Sequence, residues 1–550
     1  MKKIMLAAMT LAAGITASAQ DLTDALRFSE NEYEGTARTM AMGNAFTALG
    51  GDMGSLGINP AGSAVARRSQ FTVSLGPNIT IGTAQGERTP DGNIAFGKNL
   101  RQTDSRFNLP NLGGMVNFNT GLSRGLKNWS MGFVVNNTRS YNDNLTAKGT
   151  NFNTSAFGQL GALATDLAQD DVFTADDLDK DSVFDRLSPS EWNIVNAYRA
   201  GSIWQLADRE FAGISEYEDA DGIITIGQSG LDQHYGRTRT GAKSDFVYNV
   251  ALNFSDVLYL GANIGLSHIK YTSNEFIREE AVSPDDFDVV FTDDKGVETV
   301  AHFVSAKNTY NYSANGTGVY GKFGLILTPW RGLRFGVSLQ TPTAYTISET
   351  VSYGSEGNYD RSAYSGNATC EGKFEYNIKS PLRTSVGAAY TFGGYGLLSV
   401  DYEFTNYRRM AFSVPGTSDN SEFSGANSEI SDLCGVQHYL RVGAEVNPVK
   451  FLSIRLGYNF KTSGQTKEYF GGETFKAPAS DMHIVSGGLG FNFGGSFFAD
   501  FAAAGYFFPT EYIRPYPDYI FSGNTPDPYS PEIRYRKQLI KLVATIGVRF

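Results

Sequence analysis

The 550-residue sequence predicts an all-β fold: a transmembrane antiparallel β-barrel of about fourteen strands, with an N-terminal hatch, or plug, and long extracellular loops. Three observations predict it. Segments of about ten residues alternate apolar with polar or small side chains, the period of a strand with one lipid face and one lumen face. Their connections alternate between tight turns and long polar insertions, which a soluble β-sandwich has no reason to segregate. The composition holds 61 Gly, 38 Phe and 29 Tyr, with aromatics at 13%, as small lumen residues and aromatic girdles require. A mean hydropathy of −0.25 is compatible, because only alternate residues of such strands face lipid.

Residues 1–19 read as an export signal. Lys2 and Lys3 give the positive start, Ile4 to Ile15 is apolar or small, and Ala17-Ser18-Ala19 is a cleavage site, placing the mature start at Gln20. No Cys follows that site, which argues against a lipoprotein, and no later apolar run reaches the ~18 residues of a spanning helix. Residues 20–66 are expected to lie as a hatch inside the lumen, a placement implied by the family resemblance of residues 35–62. Positions 36–49 have helical spacing and small residues, and Gly50, Gly51, Gly54 and Gly57 permit sharp turns. Pro60 fixes its own backbone and biases Asn59 to an extended shape, from which the Asn59 amide could serve an unpaired backbone group on a barrel strand.

The barrel occupies 67–550, with strands expected near 69–82, 110–119, 128–142, 245–254, 257–274, 306–328, 332–352, 372–391, 395–412, 437–448, 450–463, 483–493, 496–509 and 537–550. Ser255-Asp256, Trp330-Arg331, Gly393-Gly394, Asn447-Pro448 and Gly494-Gly495 mark tight turns. The insertion at 143–244 is too long for a bare loop. It contains helix-like stretches at about 155–168 and 189–209, the second started by Ser188-Pro189-Ser190-Glu191. Trp192, Ile194, Val195, Tyr198, Ile203 and Trp204 give that stretch an apolar face, which either packs as a cap over the mouth or also forms a groove for an apolar ligand. Cys370 and Cys434 both fall on the extracellular side and could form a disulfide or stay as two free thiols. The last segment sets Leu542, Ala544, Ile546, Val548 and Phe550 against Lys541, Val543, Thr545, Gly547 and Arg549. A terminal strand ending in an aromatic residue resembles the insertion signal of bacterial outer-membrane barrels.

Residues 35–62 carry a more specific signal. Arg38, the run Gly43-Asn44-Ala45-Phe46, Asp52 and above all Asn59-Pro60-Ala61-Gly62 resemble the hatch of the long-chain fatty acid transporter family of outer-membrane proteins, which also includes aromatic-hydrocarbon channels. The motif covers only the hatch; across the barrel the resemblance is one of architecture. It implies passive uptake of long-chain fatty acids or related hydrophobic molecules. The ligand would pass from the loops to an apolar pocket above the hatch, shift the hatch, and leave sideways into the outer membrane. Arg38, Gly43, Asn44, Asn59, Pro60, Ala61 and Gly62 would then hold the hatch and its gate, or simply anchor the plug. The family precedent is a monomer in contact with outer-membrane lipid and lipopolysaccharide. The alternative is a non-transporting barrel of the same family that binds partner proteins, like the shuttle component of the type IX secretion system.

Basic side chains of lumen parity, Lys322, Arg334, Arg383, Arg441 and Arg455, could grip a carboxylate head group, or pair with lumen acids such as Asp401, Glu403, Glu445 and Asp500, or with the plug. A formal charge of −11 without a basic stripe disfavours nucleic acid. The acidic clusters at 166–185 and 284–298 read as solvated loops, with divalent cations near lipopolysaccharide as a second reading. His234, His268, His302, His438 and His483 have no metal-ligand spacing. Asp177-Leu178-Asp179-Lys180-Asp181 lacks the Gly and closing Glu of a Ca²⁺ loop. No nucleophile motif, phosphate loop or cofactor signature appears, so no enzyme is expected.

Overall fold

A computed structural model describes residues 21–550 except 91, 219–223, 293–294, 418–419, 471–472, 478–479 and 520–528. The export signal expected at 1–19 lies outside the described residues. Fourteen staves form a single closed antiparallel barrel. They are β1 (Gln70–Gly86), β2 (Leu100–Asn119), β3 (Leu126–Ser140), β4 (Leu231–Phe254), β5 (Leu258–Ala281) and β6 (Glu298–Trp330). Three staves follow that are each broken in two: β7 (Leu333–Gln340 and Ala344–Tyr359), β8 (Gly366–Lys379 and Arg383–Thr391) and β9 (Gly396–Asn406 and Ala411–Ser413). The circuit ends with β10 (Val436–Val449), β11 (Leu452–Lys461), β12 (Met482–Phe493), β13 (Phe497–Phe507) and β14 (Ile533–Arg549). Closure is by β14 on β1, in register from Gln70↔Arg549 to Gly86↔Ile533. No sheet edge is left along the wall, as a span through hydrocarbon demands.

Alternation sorts the side chains. Phe71, Ile264, Phe323, Leu456, Phe501 and Ile546 are exposed on the outside, while Asn249, Lys322, Asp401, Arg441 and Thr545 are buried inside. The outer band ends in aromatic girdles. On the turn side Phe118 stacks on Trp129 at 4.3 Å, near exposed Trp330, Tyr395 and Phe550. On the loop side Tyr402 and Tyr458 pair with His438 and His483 at 2.6 and 2.9 Å. A single-chain barrel with an even strand number and this surface is the architecture of the Gram-negative outer membrane.

The expected strands all form, most of them longer on the loop side. β5 continues to Ala281 and β6 begins at Glu298, because staves that clear the membrane keep pairing as an extracellular extension. The insertion folds as a cap with its own core. Helix α3 (Ala156–Gln169) is capped by Ser155 and packs Phe157 and Leu160 with Ile194, Val195 and Phe211. The second expected helix is shorter than 189–209. It spans Trp192–Arg199 as α4, stops at Gly201 (φ +67°), and continues as a hairpin pairing Ile203–Ala207 with Glu210–Gly213. Ile194 and Val195 are fully buried, so this face is interior to the cap. The two cysteines are free. Cys370 sits on β8 with the Asn196 amide 3.0 Å from its sulfur, while Cys434 ends the helix Ser424–Leu433 and bridges to Gln465. Of the two alternatives the sequence left open, a disulfide and two free thiols, the structure has the second.

Candidate functional site: the hatch and the wall it meets

Residues 21–66 fill the bore as one continuous plug. Helix α1 (Leu22–Ser29) starts where Asp21 accepts the Asp24 amide at 2.9 Å. Its apolar face of Leu22, Ala25 and Phe28 enters an aromatic layer that includes Tyr271, Tyr312 and Tyr376. The strap after α1 hangs on inward-pointing barrel cations. Lys243 donates to the Phe28 and Glu30 carbonyls at 2.9 and 2.8 Å. Arg139 holds Glu30 at 2.9 Å, and Lys541 pairs with Glu34 and, at 3.4 Å, with Glu32. The Tyr33 hydroxyl donates to Glu403 at 2.7 Å.

Helix α2 (Ala37–Ala41) is shorter than the 36–49 stretch of helical spacing, because Gly43 and Asn44 turn left-handed at φ +61° and +57°. The Ala37 amide donates to Thr545 at 2.7 Å, and Arg38 reaches Glu445 through two bonds of 2.9 and 3.3 Å. Asn44 donates to the Tyr33 carbonyl at 2.8 Å. Asn59 donates to the Thr47 carbonyl at 2.6 Å and to the wall carbonyls of Leu325 and Val337 at 3.2 and 3.3 Å. Its own oxygen accepts the Ala61 amide at 3.0 Å, which starts a short helix at Pro60. Pro60 presses on Gly261 and Gly324, where any Cβ would collide with it or with Asn59. Ala61 packs with Ala251, Tyr259 and Ile326, and Gly62 backs onto Gly50.

The five basic residues expected to face a ligand head group hold the plug or neutralise lumen acids instead. Lys322 donates to the Gly57 carbonyl and Arg334 to the Leu49 carbonyl, both at 2.7 Å. Arg383 donates to the Ser29 carbonyl and lies 3.4 Å from Glu403. Arg441 lies 3.5 Å from Glu403 and 3.6 Å from Asp401, under the Tyr33 ring. Arg455 bonds Glu445 at 2.7 Å and Asp500 at 2.5 Å. The physical reason is desolvation: a buried guanidinium is tolerable only when paired and hydrogen-bonded.

Above the plug lies a cavity of about 360 Å³. It differs from the apolar pocket expected above the hatch. Tyr141, Tyr271, Tyr535 and Phe508 line it beside Arg239 and Lys537. Arg239 lies 3.7 Å from Glu275 and Lys537 3.6 Å from Asp143, loose pairs that leave donors turned to the space. The lining also holds the cations Arg27 and Arg139 and the carboxylates Glu32, Asp143, Glu468 and Glu511, so this mixed aromatic and polar space suits an amphiphile better than a pure hydrocarbon.

A second feature lies in the wall itself. β1 runs through Gly76-Pro77 but loses its pairing with β14 there, and β2 carries Pro110. The β1–β2 register shifts between Ser74 and Gly76, and β1–β14 pairing skips from Leu75↔Ala544 to Asn78↔Lys541. Pro lacks the N–H that a ladder needs, so it marks a break in a strand. Outside this break is an apolar depression of about 610 Å³, lined by Leu75, Pro77, Phe107, Leu489, Phe501 and Leu542 and floored by small residues such as Gly487, Gly488 and Ala503. Directly inside, Ala37, Met40 and Ala41 of α2 pack on Ala502 and Val543, and Ala41 abuts Gly488. Asn59 contacts β6 and β7, on the far side of the barrel. The prolines were the sequence signal for this seam; its position beside α2 was not readable, since β1, β12, β13 and β14 meet only on closure.

Among the described residues no cluster of three His, Cys, Asp or Glu is placed to hold a metal ion. No family model and no curated protein matches the chain. Solved barrels resemble it in outline. The toluene transporter TodX of Pseudomonas putida aligns at 12% identity over 94% of this chain and 99% of its own, with a TM-score of 0.45. A Pseudomonas aeruginosa FadL homologue aligns at 11% over 94% and 99%, TM-score 0.46, and the Ralstonia pickettii toluene transporter TbuX at 12% over 94% and 99%, TM-score 0.44.

Proposed function

We propose that the protein is an outer-membrane channel for passive uptake of hydrophobic molecules, of the long-chain fatty acid class, with hatch-gated lateral release into the membrane. A ligand enters the cavity above the plug, its polar end near Arg239 and Lys537 and its tail along the tyrosines. Movement of the strap 28–34 and of α2 opens the path to the β1–β14 seam, and the molecule passes through the wall into lipid. No energy source is needed for movement down a gradient. The supporting observation is the interrupted β1–β14 ladder, with plug helix α2 on its inner side and an apolar, lipid-facing depression on its outer side.

The test is uptake of labelled oleate by cells that carry or lack the gene, and by a stapled variant. Leu75→Cys with Ala544→Cys, in a background with both native cysteines changed to Ser, joins register partners across the seam. Expected is loss of uptake on oxidation and recovery on reduction. Uptake independent of the gene removes the channel reading; uptake that survives the staple removes the lateral exit at this seam.

A bore filled by buried ion pairs between plug and wall favours a second reading, a non-transporting barrel that binds partner proteins through its extracellular cap. Gene-independent oleate uptake, with a partner protein recovered on the intact barrel but not on one lacking 153–229, is the result that selects it.

A further inference from the structure

Two carboxylates are buried in the extracellular cap with no cation facing either among the described residues. Glu279, near the upper end of β5, is 0% exposed, and Glu216, in a short strand of the insertion, is 5% exposed. Both lie above the apolar band, and they meet at the first turn of α3. Glu279 accepts the Ser155 hydroxyl at 2.6 Å, the Ala156 amide at 2.7 Å and the Gln233 side chain at 2.7 Å. Glu216 accepts the Tyr519 hydroxyl at 2.7 Å and the Gly213 amide at 3.1 Å. Ser155 links the halves: its amide donates to the Tyr519 hydroxyl, and its own hydroxyl accepts from Ser215, both at 3.0 Å. The Tyr516 hydroxyl joins through Gln233 at 2.9 Å. The network therefore ties together α3, the Glu216 strand, β4, β5 and the loop after β13.

Among the described residues, the groups that face the pair are all neutral apart from the pair itself. They are Ser155 and the Ala156 amide from α3, Gln233 from β4, the Gly213 amide, and Tyr516 and Tyr519 from the loop. Charged neighbours in sequence turn away. Asp232, Arg278 and Glu280 are exposed, the last two paired with each other, and Arg514 pairs with Asp518 and Glu532. Burial without a counter-ion pushes both carboxyls up from 4.5 to about 7.

We infer that Glu216 and Glu279 form an acid-held latch: protonated, they tie the cap and the loop after β13 to the barrel rim, and ionised, they release the cap from above the cavity. The closed state binds the protons more tightly than an open, hydrated one. Its stability is therefore complete below the ordinary carboxyl value of 4.5 and falls as pH rises through about 7, above which it levels off. Control of uptake by this latch rests on the proposed channel; the latch itself does not.

The test is hydrogen–deuterium exchange of the full chain in detergent at pH 5.5 and 8.5, with exchange times scaled for intrinsic chemistry. Expected at pH 8.5 is a rise in opening on the order of 10³-fold, about 30-fold for each carboxyl, in peptides covering 155–165 and 510–519, with the barrel strands unchanged. The double variant Glu216→Gln/Glu279→Gln keeps the cap protected at both pH values, while Glu280→Gln behaves as wild type. Wild-type protection that does not change with pH, or a double variant that opens as wild type does, overturns the latch. If the double variant fails to fold, Glu216→Gln alone decides: opening reduced at pH 8.5 supports the latch, and opening unchanged refutes it. Oleate uptake at the same two pH values separates the readings, since a latch that moves without any gene-dependent uptake leaves the latch standing and the channel refuted.

Discussion

Asn59 joins three stretches of backbone with one amide: the plug at Thr47 and two adjacent staves at Leu325 and Val337. Asn59→Ala leaves those carbonyls short of a donor inside the bore, at about 1–3 kcal/mol. The expected outcome is faster hydrogen exchange across 36–66 with barrel strands unaffected. Gly324→Ala acts on the same contact from the wall, forcing Asn59 and Pro60 aside, and is expected to mimic Asn59→Ala in that measurement. Glu403 is the other residue on which much converges, since Tyr33, Arg383 and Arg441 all address it. Glu403→Gln leaves two buried guanidinium groups undercompensated, an effect of about 3–5 kcal/mol, read as a lower temperature for loss of the compact gel form in detergent. Residue roles were the least legible part of the sequence. The parity that turns Arg383, Arg441 and Arg455 inward was readable from alternation. Glu403 and Glu445, among the lumen acids named from the same parity, lie on neighbouring staves, whereas Ser29 comes from a remote segment that only seating of the plug brings to Arg383.

Staves were legible because lipid outside and polar lumen inside impose a period of two on each of them, and the turn glycines fix their lower ends. Upper ends were not, since above the membrane both faces of β5 and β6 meet water or loops and the alternation fades. The 189–209 stretch was misread for a related reason: its apolar residues line a local cap core, a pattern that a short helix followed by a hairpin satisfies as well as one long helix. Pro77 and Pro110 stood in the sequence as strand breakers without a role. Pro77→Ala restores an N–H at the interrupted register. It is expected to strengthen pairing there and lower oleate uptake several-fold without lowering thermal stability, checked by the transport assay alongside a melting curve.

Plug and cylinder are tied together by hydrogen bonds and ion pairs along the bore. Lys243, Lys322, Arg334, Lys461 and Lys541 each donate to a plug carbonyl or carboxylate from the wall. A barrel lacking 21–66 therefore loses all of these ties at once and leaves its wall cations facing an open bore, each lost hydrogen bond to a charged group a net effect of about 1.5–3 kcal/mol. Such a deletion is expected not to reach the compact, heat-modifiable form at all, whereas deletion of 153–229 in the cap is expected to leave it intact; gel mobility of unheated samples distinguishes the two. The overall architecture was legible in composition, loop asymmetry and alternation. The filled bore was legible only through the hatch motif of 35–62, because a lumen lined by polar residues looks the same in sequence whether it holds water or a plug.

The plug is also fastened to the stave made last: Ala37 bonds Thr545, and Glu34 bonds Lys541. These partners lie some five hundred residues apart in sequence, so this part of the plug's seat is complete only once the closing stave is in place. Maturation is then self-timing, and a polypeptide truncated before its final strand betrays itself by an unseated amino-terminal tail that periplasmic proteases can reach.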